Sequence, residues 1–144
     1  MRVLGVVLLV ITCGMLAQEI GGGVRFTYVD VHVDSGASPL AAYQVEVACV
    51  DPAVKLVGVE GGEARHFAEA PYYDPAALQG GQVVLGAFTV EGDAPAGRQR
   101  VARLHYQEPE GPAPRFEAKL VTAAAPGGSR IEVKVELEWN GGTK

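Results

Sequence analysis

The chain has 144 residues, of which 48% are hydrophobic and 20% are charged, as expected of one folded globular domain. Its formal net charge of -5, with twelve Lys and Arg residues scattered singly, argues against a nucleic-acid partner, because phosphate binding needs a basic face. Nineteen glycines and nine prolines indicate many turns and favour β-structure.

Residues 1–17 are predicted to be a cleaved signal peptide. Arg2 supplies the positive start, and the apolar stretch that follows it, residues 3–17, has the length of a signal core and is too short to span a membrane comfortably. We expect cleavage after Ala17, although Met15 is larger than signal peptidases prefer at that position. The mature protein is then secreted, periplasmic or held at the cell surface, and residues 18–24 form a flexible N-terminal segment.

Two alternatives to cleavage stay open at this stage. A lipoprotein signal would end at Cys13, but Thr12 stands where such signals carry a small residue, and an uncleaved anchor is the other alternative. Either of them would attach the protein to a membrane. With the signal removed, Cys49 is the single cysteine, so no internal disulfide forms and we expect its thiol to be buried as a packing residue.

Seven short segments have the alternation of apolar and polar residues that is typical of β-strands. In the first, Val29, Val31 and Val33 share one face. In the second, Tyr43, Val45, Val47 and Cys49 point inward. The fourth is apolar on both faces, which predicts a central strand. The seven segments are residues 25–34, 42–49, 54–60, 82–90, 98–107, 115–123 and 130–139.

The turns between these segments have recognisable chemistry. Asp51-Pro52 predicts a corner between the second and third strands, because proline fixes φ and removes a backbone donor, and Gly61-Gly62 ends the third. In the irregular region 63–81, Asp74 and Pro75 predict a short helical turn as its N-cap and first residue, with Gly80 as its terminator. The last segment alternates most regularly. Its predicted inward residues are Ile131, Val133, Val135, Leu137 and Trp139.

Together these segments predict an all-β domain over residues 25–140. Seven strand-like runs without a long 3.6-residue period indicate a sandwich of two antiparallel sheets, jelly-roll or immunoglobulin-like, with about seven to nine strands. The two inner faces would enclose one core about 10 Å thick.

No catalytic or metal-binding motif is present, so we expect neither an enzyme nor a cofactor or metal site. The histidines His32, His66 and His105 lie on separate segments without metal-ligand spacing. Asp30, Asp34 and Asp93 likewise lack the spacing of a calcium loop. The acids of the irregular region are interpreted as solvated loop residues, and they are Glu63, Glu69 and Asp74.

One cluster in the irregular region is the candidate binding surface. Aromatic rings with polar tips are the usual platform for sugars and for protein hot spots. The alternative is that these rings close the open end of the sandwich and belong to its core. The candidate residues are Arg65, His66, Phe67, Tyr72 and Tyr73.

The order of these pieces resembles the cohesin domain and its relatives among the carbohydrate-binding sandwiches. The resemblance is carried by "PLAAYQVEVACVDPAVKLVGVEGG" (39–62), with its small-residue-plus-aromatic start, Asp-Pro and terminal glycines. It continues through "GGQVVLGAFT" (80–89), "APAG" (94–97) and "RVARLHYQ" (100–107). It covers roughly residues 27 to 107.

This resemblance implies a sandwich that binds rather than catalyses. Cohesins hold calcium-loaded dockerin modules on one sheet face, and related sandwiches bind polysaccharide. We therefore expect an exported binding or assembly module with a dockerin-like protein partner. A carbohydrate-binding module is the alternative, and a small secreted hydrolase is a third, less supported hypothesis. The chain has no dockerin calcium loop of its own, and no contact residue is carried over from the family.

Overall fold

The computed structural model describes residues 22–141, which form two antiparallel sheets. Sheet A has the order β3-β5-β1-β7 and sheet B the order β4-β2-β6. The seven strands are β1 (Val24–Asp34), β2 (Ala42–Cys49), β3 (Lys55–Gly61), β4 (Gln82–Phe88), β5 (Arg98–Pro109), β6 (Phe116–Ala124) and β7 (Lys134–Asn140). This confirms the predicted antiparallel sandwich. The predicted signal peptide, residues 1–17, lies outside the described residues, as do residues 18–21 of the segment that was expected to be flexible.

The core lies between the sheets and is built from the predicted inward faces. Val29, Val31 and Val33 of β1 are fully buried, as are Val45 and Val47 of β2. Leucine side chains of β3, β4 and β5, together with Tyr106 of β5, complete this core. Burial of these alternating side chains on both sheets is the main favourable term for folding.

No helix among residues 22–141 has the length and apolar character needed to cross a membrane.

The corner at Asp51-Pro52 carries the chain from one sheet to the other. The Asp51 carboxylate accepts a hydrogen bond from Ala53 N at 2.9 Å, and Val54 N donates to the Asp51 carbonyl at 3.2 Å. Since β2 belongs to sheet B and β3 to sheet A, this turn makes the crossing in five residues. Before it, Cys49 is only half-buried, and burial raises the pKa of its thiol.

The glycine pair at the end of β3 allows a close approach of other backbone segments. A Cβ on Gly61 would overlap the carbonyl group of Ala68, and one on Gly62 would overlap that of Arg100. Gly62 N donates to Phe67 O at 2.6 Å. The pair therefore does more than end a strand, because it seats the following loop against β5.

The prediction that β4 is a central strand is wrong. β4 lies at an edge of sheet B, and its open side meets only one isolated bridge, between Gly86 and Tyr72. Val84 and Phe88 lie on its outward face, which no further layer among residues 22–141 covers, and both are exposed. The all-apolar sequence is instead explained by a strand with one face in the core and an outward face that stays uncovered among residues 22–141.

The short helical turn forms, but it ends differently from the prediction. A 3₁₀ helix spans Pro75–Ala77, and the Asp74 carboxylate caps it by accepting from Ala76 N at 2.9 Å. Gln79, with φ of 67°, takes a left-handed conformation one residue before the predicted terminator Gly80. Gln79 N donates to Leu56 O at 2.7 Å, and this contact with β3 offsets the cost of that conformation.

The last predicted strand is divided between the two sheets. Arg130 bridges to Ala124 and Ile131 N donates to Ala123 O at 3.0 Å, so its first residues follow the edge of β6. The chain then crosses to pair with β1 as β7. The predicted inward residues are all partly buried against the core, and they are Ile131, Val133, Val135, Leu137 and Trp139.

Candidate binding site

The loop after β3 is anchored through Phe67. This residue ends a 3₁₀ helix (Arg65–Phe67), and its buried ring packs edge-on against Tyr43, with 5.5 Å between ring centroids. Its carbonyl accepts from Gly62, as described above. The ring of Phe67 therefore supports the site from the core side, while Arg65 and His66 are held at the surface of the sandwich.

Tyr72 and Phe88 form an exposed aromatic pair at the edge of sheet B. Tyr72 exchanges two backbone hydrogen bonds with Gly86, of 2.8 and 2.9 Å, which places it alongside β4. The Tyr72 ring lies near that of Phe88, with ring centroids 6.4 Å apart and ring planes 12° from parallel. Tyr72 is 76% exposed and Phe88 is 64% exposed. Two large exposed rings side by side form a candidate recognition surface.

A groove of about 380 Å³ adjoins the aromatic pair. It combines apolar and charged side chains, and the charged ones come from the irregular region 63–81 and from the loop that follows β4. Its lining includes Arg65, His66, Glu69, Tyr72, Phe88 and Glu91.

An ionic cluster of Arg65, His66, Glu91 and Asp93 adjoins this groove. Arg65 Nη1 lies 2.6 Å from Glu91 Oε2, and a second guanidinium nitrogen contacts Asp93. His66 Nε2 lies 2.9 Å from Asp93 Oδ1 and 3.4 Å from Glu91 Oε2. Hydrogen bonds from His66 and from Arg65 lower the pKa of Asp93 to about 2. Asp93 therefore stays ionised through the physiological pH range.

Four of the five sequence-predicted residues line the groove, and they have different environments. Arg65, His66 and Tyr72 present polar or aromatic groups to it, whereas Phe67 contributes from the core side. Tyr73 is partly buried against the core and is not among the lining residues. Phe67 and Tyr73 therefore belong to the core, whereas Arg65, His66 and Tyr72 are the predicted residues that face the groove.

The other titratable candidates lie elsewhere in the fold. Asp30 and His32 are on the outward face of β1, and His105 on β5 lies 3.2 Å from Glu60. Within residues 22–141, the one group of three close metal-ligating side chains is His66, Glu91 and Asp93. The fold brings His66 and Asp93 together across 27 residues of sequence.

Sequence reasoning missed Phe88, Glu91 and Asp93 as members of the site. The sequence did indicate that Val84, Gly86 and Phe88 share one face of a strand, but that face was interpreted as the second buried face of a central strand. Glu91 and Asp93 lie in the loop after β4. Their contact with Arg65 and His66 depends on how the strands are arranged, which the local sequence does not indicate.

Comparison with known proteins adds no relative. No protein-family model matches the chain, and neither the curated proteins nor the solved structures contain a match. The likeness to cohesins therefore depends on the sequence segments described above.

Proposed function

We propose that this chain is an exported, non-catalytic binding module that recognises carbohydrate on the Tyr72–Phe88 pair and in the adjoining groove. The observation that carries the proposal is the pair of nearly parallel, exposed rings beside a groove with charged side chains. Sugar rings offer apolar C–H faces to aromatic rings and hydroxyl groups to polar side chains. Export is supported by the signal-like pattern of residues 1–17.

The groove has the features of a small-ligand site. Its volume of about 380 Å³ lies within the range of roughly 300–1,000 Å³ found for such sites. Arg65, Glu69 and Glu91 supply donors and acceptors that suit adjacent hydroxyls. The backbone of Tyr72 is held through both its N–H and its C=O, so little backbone conformational entropy is lost when a ligand binds.

A dockerin-like protein partner is the second candidate, in line with the cohesin resemblance. It is favoured by exposed apolar side chains that extend beyond the groove along β4, where Val84 lies on the same outward face as Phe88 with Gly86 between them. A rigid sheet face of this kind suits docking of a helical partner by its own apolar residues. The hydrolase hypothesis gains no support from Asp74, because that carboxylate caps a 3₁₀ helix.

Retention on insoluble polysaccharides tests the carbohydrate proposal. We expect one class of polysaccharide to remove the protein from solution, and we expect Tyr72→Ala and Phe88→Ala each to weaken retention at least tenfold. Phe26→Ala is the matched control, because Phe26 is an exposed aromatic residue on β1, in the other sheet. Equal retention of all three variants, or no retention of the native protein on any polysaccharide, would refute carbohydrate binding at this site.

The protein-partner candidate has a separate readout. Immobilised protein is exposed to dockerin-bearing proteins with calcium and with a chelator. Calcium-dependent capture that is lost with Val84→Asp, but retained by Tyr72→Ala, would assign the function to the sheet face instead of the groove.

A further inference from the structure

We propose that His66, Glu91 and Asp93 form a binding site for one divalent transition-metal ion beside the groove. This inference goes beyond carbohydrate binding and does not depend on it. The three side chains each offer a ligand atom, and these atoms all lie within 4.8 Å of one another.

The distances are close to those of a coordinated ion. Donor atoms about 2.1 Å from a tetrahedral zinc ion lie about 3.4 Å from each other. The separation of His66 Nε2 and Glu91 Oε2 is 3.4 Å, and that of His66 Nε2 and Asp93 Oδ1 is 2.9 Å. Of these two pairs, the second has to separate by about half an ångström. The ligand oxygens of Glu91 and Asp93 lie within 4.8 Å of each other. The cluster therefore accepts an ion with a small movement of an exposed loop.

His66 is the rigid member of the three. Its side chain is only 7% exposed, and it precedes Phe67, whose ring is locked into the core. The two carboxylates lie on the loop between β4 and β5 and are largely exposed, so they can adjust to the coordination geometry. A fixed imidazole with two adaptable carboxylates is a low-strain way to assemble a site.

The donor set indicates the class of ion. One imidazole nitrogen and two carboxylate oxygens suit zinc or manganese better than calcium or magnesium, which prefer oxygen donors alone. Three protein ligands leave further coordination positions free. Because His66 and Glu91 line the groove, those positions face the space where a ligand with hydroxyl or carboxylate oxygens would lie.

Arg65 occupies the same carboxylates through its two contacts, and it acts as a built-in competitor. Its guanidinium offsets one of the two negative charges, and a dication would have to displace it. The side chain of Arg65 is 64% exposed, so it can turn into solvent when the ion enters. Removal of this side chain should therefore strengthen metal binding, which a purely structural ion cluster would not show.

Calorimetric titration of the full chain, after treatment with a chelator, tests the site with zinc chloride and manganese chloride. We expect one equivalent to bind with an affinity that His66→Gln and Asp93→Asn each weaken at least tenfold. Arg65→Met should bind about tenfold more tightly than the native chain. His105→Gln and Cys49→Ala are the matched controls, and neither should change the affinity by more than about twofold.

Circular dichroism of each variant shows whether it is folded, and Glu91→Gln provides a third ligand variant, at an exposed side chain. Absence of binding by both the native chain and Arg65→Met would overturn the proposal. Binding that survives in folded His66→Gln and Asp93→Asn would overturn it too, as would an Arg65→Met variant that binds no more tightly. Polysaccharide retention is measured separately, so the failure of one proposal leaves the other standing.

Discussion

Arg103 on β5 binds Asp30 on the neighbouring β1 through two parallel hydrogen bonds. Arg103 Nε lies 2.7 Å from Asp30 Oδ1, and Nη2 lies 2.9 Å from Oδ2. The same guanidinium lies 3.9 Å from the centre of the Tyr28 ring. Asp30 is only 7% exposed although it is on the outward face of sheet A. This two-point contact explains how a carboxylate is accommodated there.

Replacement of Arg103 by lysine should destabilise the protein by about 1–2 kcal/mol, because an ammonium group cannot make both hydrogen bonds or lie flat on the Tyr28 ring. Urea unfolding followed by circular dichroism measures the change. The control is Arg98→Lys, since the Arg98–Glu136 pair is half-exposed and screened by solvent and should contribute much less to stability. Equal effects of the two substitutions would contradict this view of the sheet face.

The stability of the protein should depend on the hydroxyl group of Tyr43 but not on that of Tyr106, although both tyrosines are buried. Tyr43 Oη donates to Val101 O at 3.2 Å, so Tyr43→Phe should cost about 1 kcal/mol. The hydroxyl of Tyr106 is buried without a partner among the described residues, so Tyr106→Phe should cause no loss of stability. Thermal unfolding of both variants checks the prediction, and a larger loss from Tyr106→Phe would show that its hydroxyl has a partner in solution.

Alanine at Gly61 or Gly62 should destabilise the fold by more than about 3 kcal/mol, because a Cβ at either position meets backbone that cannot move independently. Gly92→Ala is the matched control, since a Cβ there would meet nothing within 4 Å and its effect should stay within about 0.5 kcal/mol. Chemical denaturation measures all three. The Gly61 variant should also lose any ligand binding, because that glycine seats the loop with Arg65 and His66. A Gly61→Ala variant as stable as Gly92→Ala would contradict the close approach.

His32 should make the protein sensitive to mild acid. Burial, followed by the positive charge of Arg98, lowers the pKa of His32 below 6.5. Below pH 6.5 the unfolded chain therefore takes up a proton that the folded chain resists, and stability falls as the pH drops from 6.5 towards the lower folded-state pKa. We expect the unfolding free energy of the native protein, relative to that of His32→Gln, to be higher at pH 7 than at pH 5. A difference that does not change between these pH values would show that His32 is not desolvated.

Much of the fold could be predicted because strand patterns are local. The sequence segment 42–49 became β2 with the same bounds, and Val29, Val31 and Val33 are buried as their alternation indicates. A period of two places alternate side chains on opposite faces wherever the strand lies in a sheet. The Asp51-Pro52 turn and the Asp74 cap were predictable for the same reason, since each depends on hydrogen bonds within a few residues.

The position of β4 was not predictable from its own residues. An apolar run is equally consistent with a central strand and with an edge strand that exposes an apolar face. Which of the two holds depends on the partners that the rest of the chain supplies. The open edge of β4 allows Tyr72 to pair with Gly86, and this pairing places the Tyr72 ring beside that of Phe88.

By itself the sequence determined the all-β class, the seven strand segments and the aromatic content of the irregular region, because each of these depends on neighbouring residues. The tertiary structure alone decided that Phe67 faces the core while Tyr72 faces solvent. It also decided that His66 contacts Asp93, which lies after β4 in the sequence. Such meetings depend on long-range packing of sheets and on backbone contacts such as those at Gly61 and Gly62, which no local pattern encodes.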